Sequence, residues 1–442
     1  MQIKPSQIGF VLFLLANATI YVRPWEIFPS IADIQLYLML ILAAFVIAHK
    51  QIQHHLEPAC LRAQPITLCV IGLLFAVPIS HISNGYLGGA IEGSVMMFKT
   101  VIYFIVLVSL IDSVRRFRIF LVSLAFCGLT CITISVADYH EFLNIESLTH
   151  IKERLGYTAG GQGIFLIRLC GLGMFHDPND MSLLIITTAF LSLAVMRDRE
   201  LGQLRYLWIF AFPILALAIH DTHSRGGLIA AGAATMAFLT LKYGRKVAMT
   251  MIGMGALAAP VLLGRMGNID LSGGTGQQRI RLWAEGFAAI QGPKAFFGIG
   301  QGMYEGLANY VAHNSYVHSF VEMGVFGGTF FMGVFFFTAY GMYRIKREHL
   351  QIHDAGLVHY QPYVAAVVAA WAAGFLSLSR VYPPPTYTIF GIAAAFMNLS
   401  GIYMSPVQPV LRLDMYLTKR WVASSALLFV ALFLATKFLA HF

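Results

Sequence analysis

Apolar stretches of about 16 to 20 residues recur along the whole chain, and this pattern restricts its fold more than any other feature. About 20 apolar residues in a helix cross the ~30 Å hydrocarbon core of a bilayer, and a helix satisfies every backbone hydrogen bond internally. The sequence is 58% hydrophobic and 12% charged, whereas a soluble domain is about a quarter charged. These proportions exclude a water-soluble protein and predict an all-α integral membrane protein.

We predict a single polytopic membrane domain over residues 1–442, with about twelve spanning helices, or thirteen with a terminal one. The predicted spans are 7–22, 32–49, 66–82, 94–112, 117–137, 180–196, 204–220, 226–242, 246–264, 316–343, 361–379, 386–404 and 420–439. The first span is followed by Arg23-Pro24-Trp25-Glu26 and not by small residues, so we expect it to remain uncleaved.

Basic residues lie mainly in alternate connections between these spans, which predicts the orientation of the chain. More than half of the 30 Lys and Arg residues are at Lys50/Arg62, Arg115/Arg116/Arg118, Arg197/Arg199/Arg205, Lys242/Arg245/Lys246, Arg344/Lys346/Arg347 and Arg412/Lys419/Arg420. The positive-inside rule places these connections and the N-terminus in the cytoplasm. The net charge of +9 is then a topological signal, and we expect no nucleic-acid partner. The five cysteines show no metal-binding spacing and are expected to be packing residues.

Two long connections lie on the opposite face, at 138–179 and 265–315. Loops longer than about 15 residues are usually functional or disordered. Both are rich in glycine turns and aromatic residues, and the first carries the isolated Arg154 and Arg168. This composition differs from that of disordered linkers, so we expect both loops to be functional.

The large loop contains an amphipathic segment from Gln278 to Phe287 after a glycine-rich stretch. We expect a short helix with apolar residues that are able to lie on the membrane, namely Leu282, Phe287 and Ile290. Arg281 has Glu285 one turn away as a partner, whereas no acidic residue stands one turn from Arg279 in the sequence. Arg279 therefore binds either a substrate phosphate or a lipid headgroup. Taken alone, it favours the headgroup anchor.

His313 stands directly before a predicted span, in the run Ala312-His313-Asn314-Ser315-Tyr316. A histidine titrates near neutral pH and is the usual general base. For a lone histidine at this depth, a hydrogen bond to a lipid headgroup is a commoner role than catalysis. Asn314, Ser315 and Tyr316 can orient the ring, however, and this makes the catalytic role more competitive. His318, five residues further on, competes for the role of base.

The short outer turn His220-Asp221-Thr222-His223-Ser224 leads into Arg225-Gly226-Gly227. Ser224 is a helix N-cap, and the glycines allow a close approach. Arg225 would stand at a helix N-terminus, where its charge opposes the helix dipole unless an anion is bound. A bound phosphate and a salt bridge with Asp221 are equally good explanations.

Two further polar turns lie on the same side. His176-Asp177-Pro178-Asn179-Asp180 contains possible metal ligands, but it is also a good turn and helix N-cap. We favour the cap and predict no metal. Arg380 precedes Tyr382-Pro383-Pro384-Pro385 in a turn that is expected to be mainly structural.

Together and in this order, the motifs resemble the O-antigen ligase and polymerase superfamily, and the ligases most of all. The matching elements are Asp177-Pro178-Asn179-Asp180, Ser224-Arg225-Gly226-Gly227, Arg279 four residues before Trp283, the Pro293 to Gly302 stretch with Gly298-Ile299-Gly300, and His313-Asn314-Ser315-Tyr316 followed by Glu322-Met323-Gly324. The resemblance covers roughly residues 177–328.

The resemblance implies a GT-C-like, multi-spanning glycosyltransferase of the bacterial inner membrane with a periplasmic active site. Its donor would be an undecaprenyl-pyrophosphate-linked glycan and its acceptor the lipid A-core oligosaccharide, with inversion and without metal or another cofactor. His313 would be the base, and Arg225 and Arg279 would bind the pyrophosphate. Further substrate contacts are assigned to Arg281, Asn314, Tyr316, Arg154, Arg168 and Arg380.

Three alternatives remain open from the sequence. An O-antigen polymerase or a protein O-oligosaccharyltransferase would share the donor and the motifs. A lipid or sugar transporter would place ionisable residues within its spans. Mid-span charges are few here, with Lys99 and Glu322 the main exceptions, which disfavours the transporter.

Overall fold

The computed structural model describes residues 7–28, 30, 34–157, 163–251, 253, 275–308 and 310–440. Its α-helices, in chain order, are α1 (Gln7–Val22), α2 (Pro24–Ile27), α3 (Leu36–Ile47), α4 (His49–His55), α5 (Pro58–Ala63), α6 (Pro65–Ile82), α7 (Leu87–Leu110), α8 (Val114–Tyr139), α9 (Pro178–Arg197), α10 (Ala211–Asp221), α11 (Arg225–Tyr243), α12 (Thr275–Ala289), α13 (Lys294–Phe297), α14 (Tyr304–Ala308), α15 (Ser315–Arg347), α16 (Ala355–Gly374), α17 (Pro384–Ile402) and α18 (Met415–Ala440). Residues 245–251 are also helical, and 3-10 turns cover Gly173–Phe175 and Arg199–Phe210. An antiparallel hairpin joins β1 (Ile151–Tyr157) to β2 (Gly163–Arg168).

The lengths and hydropathy of the described helices confirm a multi-pass, helical membrane protein. Eight helical segments are long and apolar enough to cross a membrane, or nine if α3 and α4, which are bent by 72°, form one span. The count of about twelve stays a prediction, because most of the predicted span 246–264 lies outside the described residues.

Several predicted boundaries were wrong. The second span was predicted from residue 32 to 49, but α3 begins at Leu36 and the chain bends sharply after Ile47. The fourth was predicted from residue 94, but α7 begins at Leu87, because glycines and a glutamate lower the local hydropathy without breaking backbone hydrogen bonds. The seventh, predicted as 204–220, begins as a 3-10 turn at Arg199.

The chain divides into two compact units. The first consists of Met1–Lys50, Leu110–Phe238 and Ala355–Gly374. In it α9 packs on α8 and α16, and α1 packs on α3 and α8. Asp198 ends α9, where a negative charge opposes the helix dipole. Arg118 offsets that charge, since its Nε lies 2.7 Å from Asp198 Oδ2, and the Tyr360 hydroxyl donates to the same oxygen at 2.5 Å.

The second unit consists of Gln51–Ser109, Leu239–Asp354 and Phe375–Phe442. Its central helix is α15, which packs on α6, α17 and α18. Phe331, Phe335, Phe375 and Phe390 form an aromatic core with ring centroids 5.5 to 5.9 Å apart. Such tilted ring pairs contribute about 0.5–1.5 kcal/mol each beyond the apolar area they bury.

Helix α15 is broken inside the span. Its 33 residues would reach about 50 Å as one helix, more than the ~30 Å hydrocarbon core. Gly324 interrupts it with φ +66° and ψ −171°, and the break separates a short segment, 315–323, from the rest. Non-helical backbone at membrane depth requires partners inside the protein, and those partners come from the large loop.

Candidate functional site

Helix α12 carries the two arginines of the large loop on different sides. Arg279 is half-buried, whereas Arg281 is exposed, as expected for residues two positions and about 200° apart on a helix. Glu285, the expected partner of Arg281, is also exposed. An ion pair between two exposed side chains contributes little. Arg279 is therefore the arginine of α12 that is set into the protein.

The apolar face of α12 is buried in the protein, which corrects the prediction that it lies on the membrane. Leu282, Phe287 and Ile290 are 6%, 4% and 3% exposed. Phe287 packs edge-on against Phe429 and Phe433 of α18, at centroid distances of 5.8 and 5.7 Å. An amphipathic pattern is the same whether its apolar face meets lipid or protein. From the sequence we therefore expected lipid beside this face, where the structure has helix α18.

Trp283 fixes α12 against the turn that carries His313. Its indole Nε1 donates to the carbonyl of Ala312 at 2.7 Å. Arg279 lies one helical turn before Trp283, so the two side chains share a face. The arginine predicted to bind phosphate and the histidine predicted to act as base therefore belong to one packed substructure.

His313 is half-buried and adopts a left-handed backbone conformation with φ +48°. For a residue other than glycine this conformation costs about 1–3 kcal/mol, and such strained residues cluster at functional sites. The surrounding contacts hold it there. His313 directly follows the carbonyl that accepts from Trp283 and directly precedes the cap of α15.

The residues after His313 tie its turn to the segment that carries Arg380. Asn314 caps α15, because its Oδ1 accepts from the backbone N–H of Tyr316 and Val317 at 3.0 and 3.1 Å. The Ser315 hydroxyl donates to the carbonyl of Leu378 at 2.6 Å and accepts from the backbone N–H of Arg380 at 2.9 Å. The backbone of Arg380 is thereby held at Ser315, which follows His313 by two residues.

Asn314 and Tyr316 are both buried. Asn314 is 1% exposed, and Tyr316, at 7%, lies among the rings of Phe331, Phe335 and Phe375. These contacts make both residues part of the support for the His313 turn. Direct contact with substrate stays a prediction for each.

The two glycine motifs of the sequence meet each other at the break of α15. The N–H groups of Ile299 and Gly300 donate to the carbonyls of Val321 and Glu322 at 3.0 Å each. Gly298 has φ +80°, and a Cβ on it would lie 2.3 Å from the Glu322 carbonyl oxygen. A Cβ on Gly324 would lie 2.3 Å from the carbonyl oxygen of Phe296. The carbonyls freed by the break are satisfied by this loop, and only glycine allows so close an approach at either position.

Glu322 joins three segments beneath this contact. Its carboxylate is 1% exposed and accepts from the Tyr382 hydroxyl at 2.6 Å and from the backbone N–H of Tyr304 at 3.2 Å. His318 Nε2 lies 3.0 Å from the same carboxylate. A buried carboxylate is tolerated when it is paired and hydrogen-bonded in this way. Because His318 faces Glu322, it is a weaker candidate for the base than His313.

Tyr304 connects this carboxylate back to α12. Its hydroxyl donates to the carbonyl of Leu282 at 2.7 Å. Burial raises the pKa of both Tyr304 and Tyr382, so both hydroxyls remain protonated donors. Both tyrosines stand in segments noted from the sequence, but sequence reasoning assigned neither of them a role in the site. The nearest signals were their positions, directly after a glycine-rich stretch and directly before a proline run.

In the first unit, two motifs predicted from the sequence are in contact. Asp177 caps α9, because its Oδ1 accepts from the backbone N–H of Asn179 at 2.7 Å, which confirms the predicted cap. Ser224 Oγ donates to Asn179 Oδ1 at 2.5 Å and accepts from the N–H of Gly227 at 2.9 Å, which confirms Ser224 as the cap of α11. A Cβ on Gly227 would lie 2.5 Å from the Cβ of Ser182, so this glycine permits close packing of α11 on α9.

Arg225 is the first residue of α11 and is exposed. The preceding turn contains the buried Asp221, whose carboxylate lies 2.9 Å from His140 Nε2 and 3.0 Å from His220 Nδ1. Burial and the neighbouring His220 lower the pKa of His223. A guanidinium in the first turn of a helix, where the helix dipole is positive, favours an anion such as phosphate nearby.

Arg154 and Arg168 lie on opposite faces of the hairpin. The register pairs Ile151 with Arg168 and Arg154 with Phe165. Successive residues of a strand point to opposite faces, so Arg154 and Arg168 are separated. Arg168 turns inward, where its Nε donates to the carbonyl of Thr222 at 3.1 Å. Arg168 thus contacts the turn before Arg225, whereas Arg154 is exposed on the other face.

A possible metal site is present elsewhere in the described residues. His54, Glu57 and Cys60 have ligand atoms within 4.8 Å of one another. They lie on α4, α5 and the turn between them, and His54 and Glu57 are exposed. This group includes none of the residues predicted for the site.

Comparison with known proteins supports the interpretation from the motifs. The family model described as O-Antigen ligase matches residues 210–332, which is 123 of the 442 residues. No curated protein matches the chain. The matched segment includes Arg225, Arg279, Arg281, His313 and the break at Gly324. In this segment, the chain is similar to the O-antigen ligase family.

Proposed function

We propose that the protein transfers O-antigen glycan from undecaprenyl pyrophosphate to the lipid A-core oligosaccharide at the periplasmic face of the bacterial inner membrane. The family match supports an enzyme of the ligase or polymerase type, and the apolar spans support a lipid-linked donor and a membrane-bound acceptor. The observation that carries the proposed site is the bond from Trp283 to the Ala312 carbonyl, because it packs the Arg279 face of α12 against the His313 turn.

In the proposed reaction, neutral His313 takes the proton from a hydroxyl of the acceptor sugar. The hydroxyl oxygen then forms a bond to the anomeric carbon of the donor as the bond from that carbon to the phosphate oxygen breaks. The glycan is transferred with inversion, and undecaprenyl pyrophosphate leaves. A base of matched pKa contributes about 10²–10⁴-fold to such a step.

Arg279 and Arg225 bind the pyrophosphate in this proposal. Pyrophosphate is a good leaving group, and guanidinium groups stabilise its charge through paired hydrogen bonds. The arginines would then fulfil the electrostatic role that a metal has in other transferases, so we propose no cofactor. Arg168 supports the turn before Arg225, and Arg281 and Arg380 are proposed as further substrate contacts.

The role of His313 is tested with purified protein, lipid-linked glycan and lipid A-core acceptor. Replacing His313 with alanine is expected to lower the transfer rate about 10²–10⁴-fold. His349 is a matched control, because it also has a left-handed backbone, with φ +49°, and flanks the other end of α15. His349→Ala is expected to keep full activity. Full activity of His313→Ala would remove His313 as the base.

The two arginines of α12 provide a second internal comparison. Arg279→Ala is expected to lower the transfer rate and raise the KM for the lipid-linked donor, because a charge-assisted bond to phosphate is lost. Arg281→Ala should change both much less, because Arg281 is exposed on another side of the helix. Equal losses in both variants would contradict the placement of Arg279 at the donor.

The superfamily also includes polymerases, and the glycolipids of a deletion strain separate the two activities. Loss of the ligase leaves lipid A-core without any O-antigen. Loss of a polymerase leaves lipid A-core with single repeat units. Lipopolysaccharide that keeps full-length glycan after deletion would overturn the proposed ligase.

A further inference from the structure

The outward face of the β-hairpin combines basic and apolar side chains. Lys152 and Arg154 are exposed, and Phe165 and Ile167 are 58% and 42% exposed. The register pairs Lys152 with Ile167 and Arg154 with Phe165. Directly opposite residues of a strand pair point to the same side, so these four side chains form one surface.

The hairpin is held at the ends of two apolar helices. The hydroxyl of Tyr139, the last residue of α8, donates to the carbonyl of Ile167 at 3.0 Å. The N–H of Leu169 donates to the carbonyl of Asp221, the last residue of α10, at 2.9 Å. Both helices belong to segments that are long and apolar enough to span a membrane. The base of the hairpin is therefore at the level where these spans leave the bilayer.

Distances along the strand keep the exposed face near that level. A strand rises about 3.3 Å per residue, so Phe165 is at most about 10 Å of strand from Arg168, next to the Leu169 anchor. The headgroup layer on each side of a bilayer is roughly 5–8 Å thick. Phe142 and Leu143, just after α8, are 83% and 47% exposed and add apolar surface at the same helix end.

We propose that the hairpin face of Lys152, Arg154, Phe165 and Ile167 docks onto the anionic phospholipid surface beside α8 and α10. Aromatic and branched apolar side chains bury at the boundary of headgroups and acyl chains, while basic side chains extend to the phosphates. A contiguous apolar patch with basic neighbours, fixed at a span end, matches such a surface. This inference does not depend on the transferase activity, and it gives Arg154 a role other than donor binding.

The experiment measures the depth of a spin label on this face in nanodiscs. Phe165→Cys is labelled in a Cys60→Ser background, because the other four cysteines are buried. In discs that contain phosphatidylglycerol, the label should be more accessible to oxygen than to a water-soluble nickel chelate. Phe126→Cys, 64% exposed in the middle of α8, is the lipid control. Glu146→Cys, exposed in the loop before β1, is the water control. Ile167→Cys replaces Phe165→Cys if the latter does not fold.

The two basic residues test the electrostatic part of the proposal. Each basic side chain near an anionic surface favours the docked state about fivefold, so Lys152→Gln with Arg154→Gln should lower the docked-to-undocked ratio about 30-fold. The same double variant should have little effect in discs of phosphatidylcholine alone. A label that behaves like the Glu146 control in anionic discs would overturn the proposal. A label shielded from both reagents would also overturn it, because a protein would then cover the face.

Discussion

Replacing Gly324 with alanine tests whether the contact between the large loop and the broken helix holds the site together. The new Cβ would lie 2.3 Å from the Phe296 carbonyl oxygen and 2.5 Å from the Phe297 nitrogen. Both atoms are backbone, so no side-chain rotation relieves the clash. With φ +66° and ψ −171°, the position also lies in a region used almost only by glycine, which costs an alanine about 1–3 kcal/mol.

The clash adds the cost of moving the loop. A shift of about 1 Å weakens the two hydrogen bonds from Ile299 and Gly300, and each buried carbonyl left without its donor costs about 1–3 kcal/mol. The total is roughly 3–9 kcal/mol of stability. For a chain of 442 residues, this corresponds to a melting temperature in detergent lower by roughly 3–10 °C, measured by thermal unfolding of the purified protein.

Two variants make the result specific. Gly232→Ala in α11 has open space around its Cβ and an ordinary backbone, so its melting temperature should change little or rise slightly. Gly298→Ala disrupts the same contact from the loop side. Adding it to Gly324→Ala should lower the stability by less than Gly298→Ala does alone, because the contact is already broken. A Gly324→Ala protein as stable as Gly232→Ala would refute the reasoning.

Three further predictions follow from the described contacts. Trp283→Phe keeps an aromatic ring but loses the hydrogen bond to the Ala312 carbonyl. It should lower the transfer rate roughly 10- to 100-fold, because misplacing reacting groups by about 1 Å reduces rates by that factor. An unchanged rate would show that this bond does not position the site. Glu322→Gln should lower the stability by roughly 1.5–3 kcal/mol, which is the usual contribution of a hydrogen bond to a charged group. Thermal unfolding measures this change, and an unchanged unfolding midpoint would contradict the prediction. Burial lowers the pKa of His150 below its ordinary value of about 6.5, and its Nδ1 accepts from the backbone N–H of Cys170 at 3.2 Å. This stabilisation is present above pH 6.5 and is lost as the pH falls through the lowered pKa. Hydrogen exchange of the amides at 163–170 should therefore accelerate in acid, after correction for the intrinsic exchange rate. Corrected exchange rates that do not depend on pH would contradict this role of His150.

The parts of the fold that short-range chemistry determines were predictable. A capping side chain acts on amides two or three residues away, so Asp177 and Ser224 were identified from their neighbours alone. The helix around Arg279 was likewise expected from its periodicity. Its environment was predicted wrongly, because a 3.6-residue apolar pattern does not distinguish lipid from a neighbouring helix.

Long-range contacts were beyond what the sequence indicates. Gly324 was recognised as part of a motif, but a glycine inside an apolar helix is also compatible with an unbroken span, and the break became clear only through its partner Gly298. Glu322 was noted as an unusual mid-span charge, yet its partners Tyr304 and Tyr382 are 18 and 60 residues away. The two strands were predicted only as part of a long loop, although apolar and charged residues on both sides of a glycine-containing sequence are consistent with two strands.

The separation between Glu322 and Tyr382 has a consequence for how the protein is made. The carboxylate enters the membrane with α15, and a charge in the hydrocarbon layer is unfavourable until its partners are in place. His318 travels in the same helix and Tyr304 has already been synthesised, but Tyr382 follows only 60 residues later. At about 5–20 residues per second, that interval is roughly 3–12 s. During this interval the carboxylate has an incomplete set of donors, and the Tyr382 hydroxyl completes the set once that residue has been made.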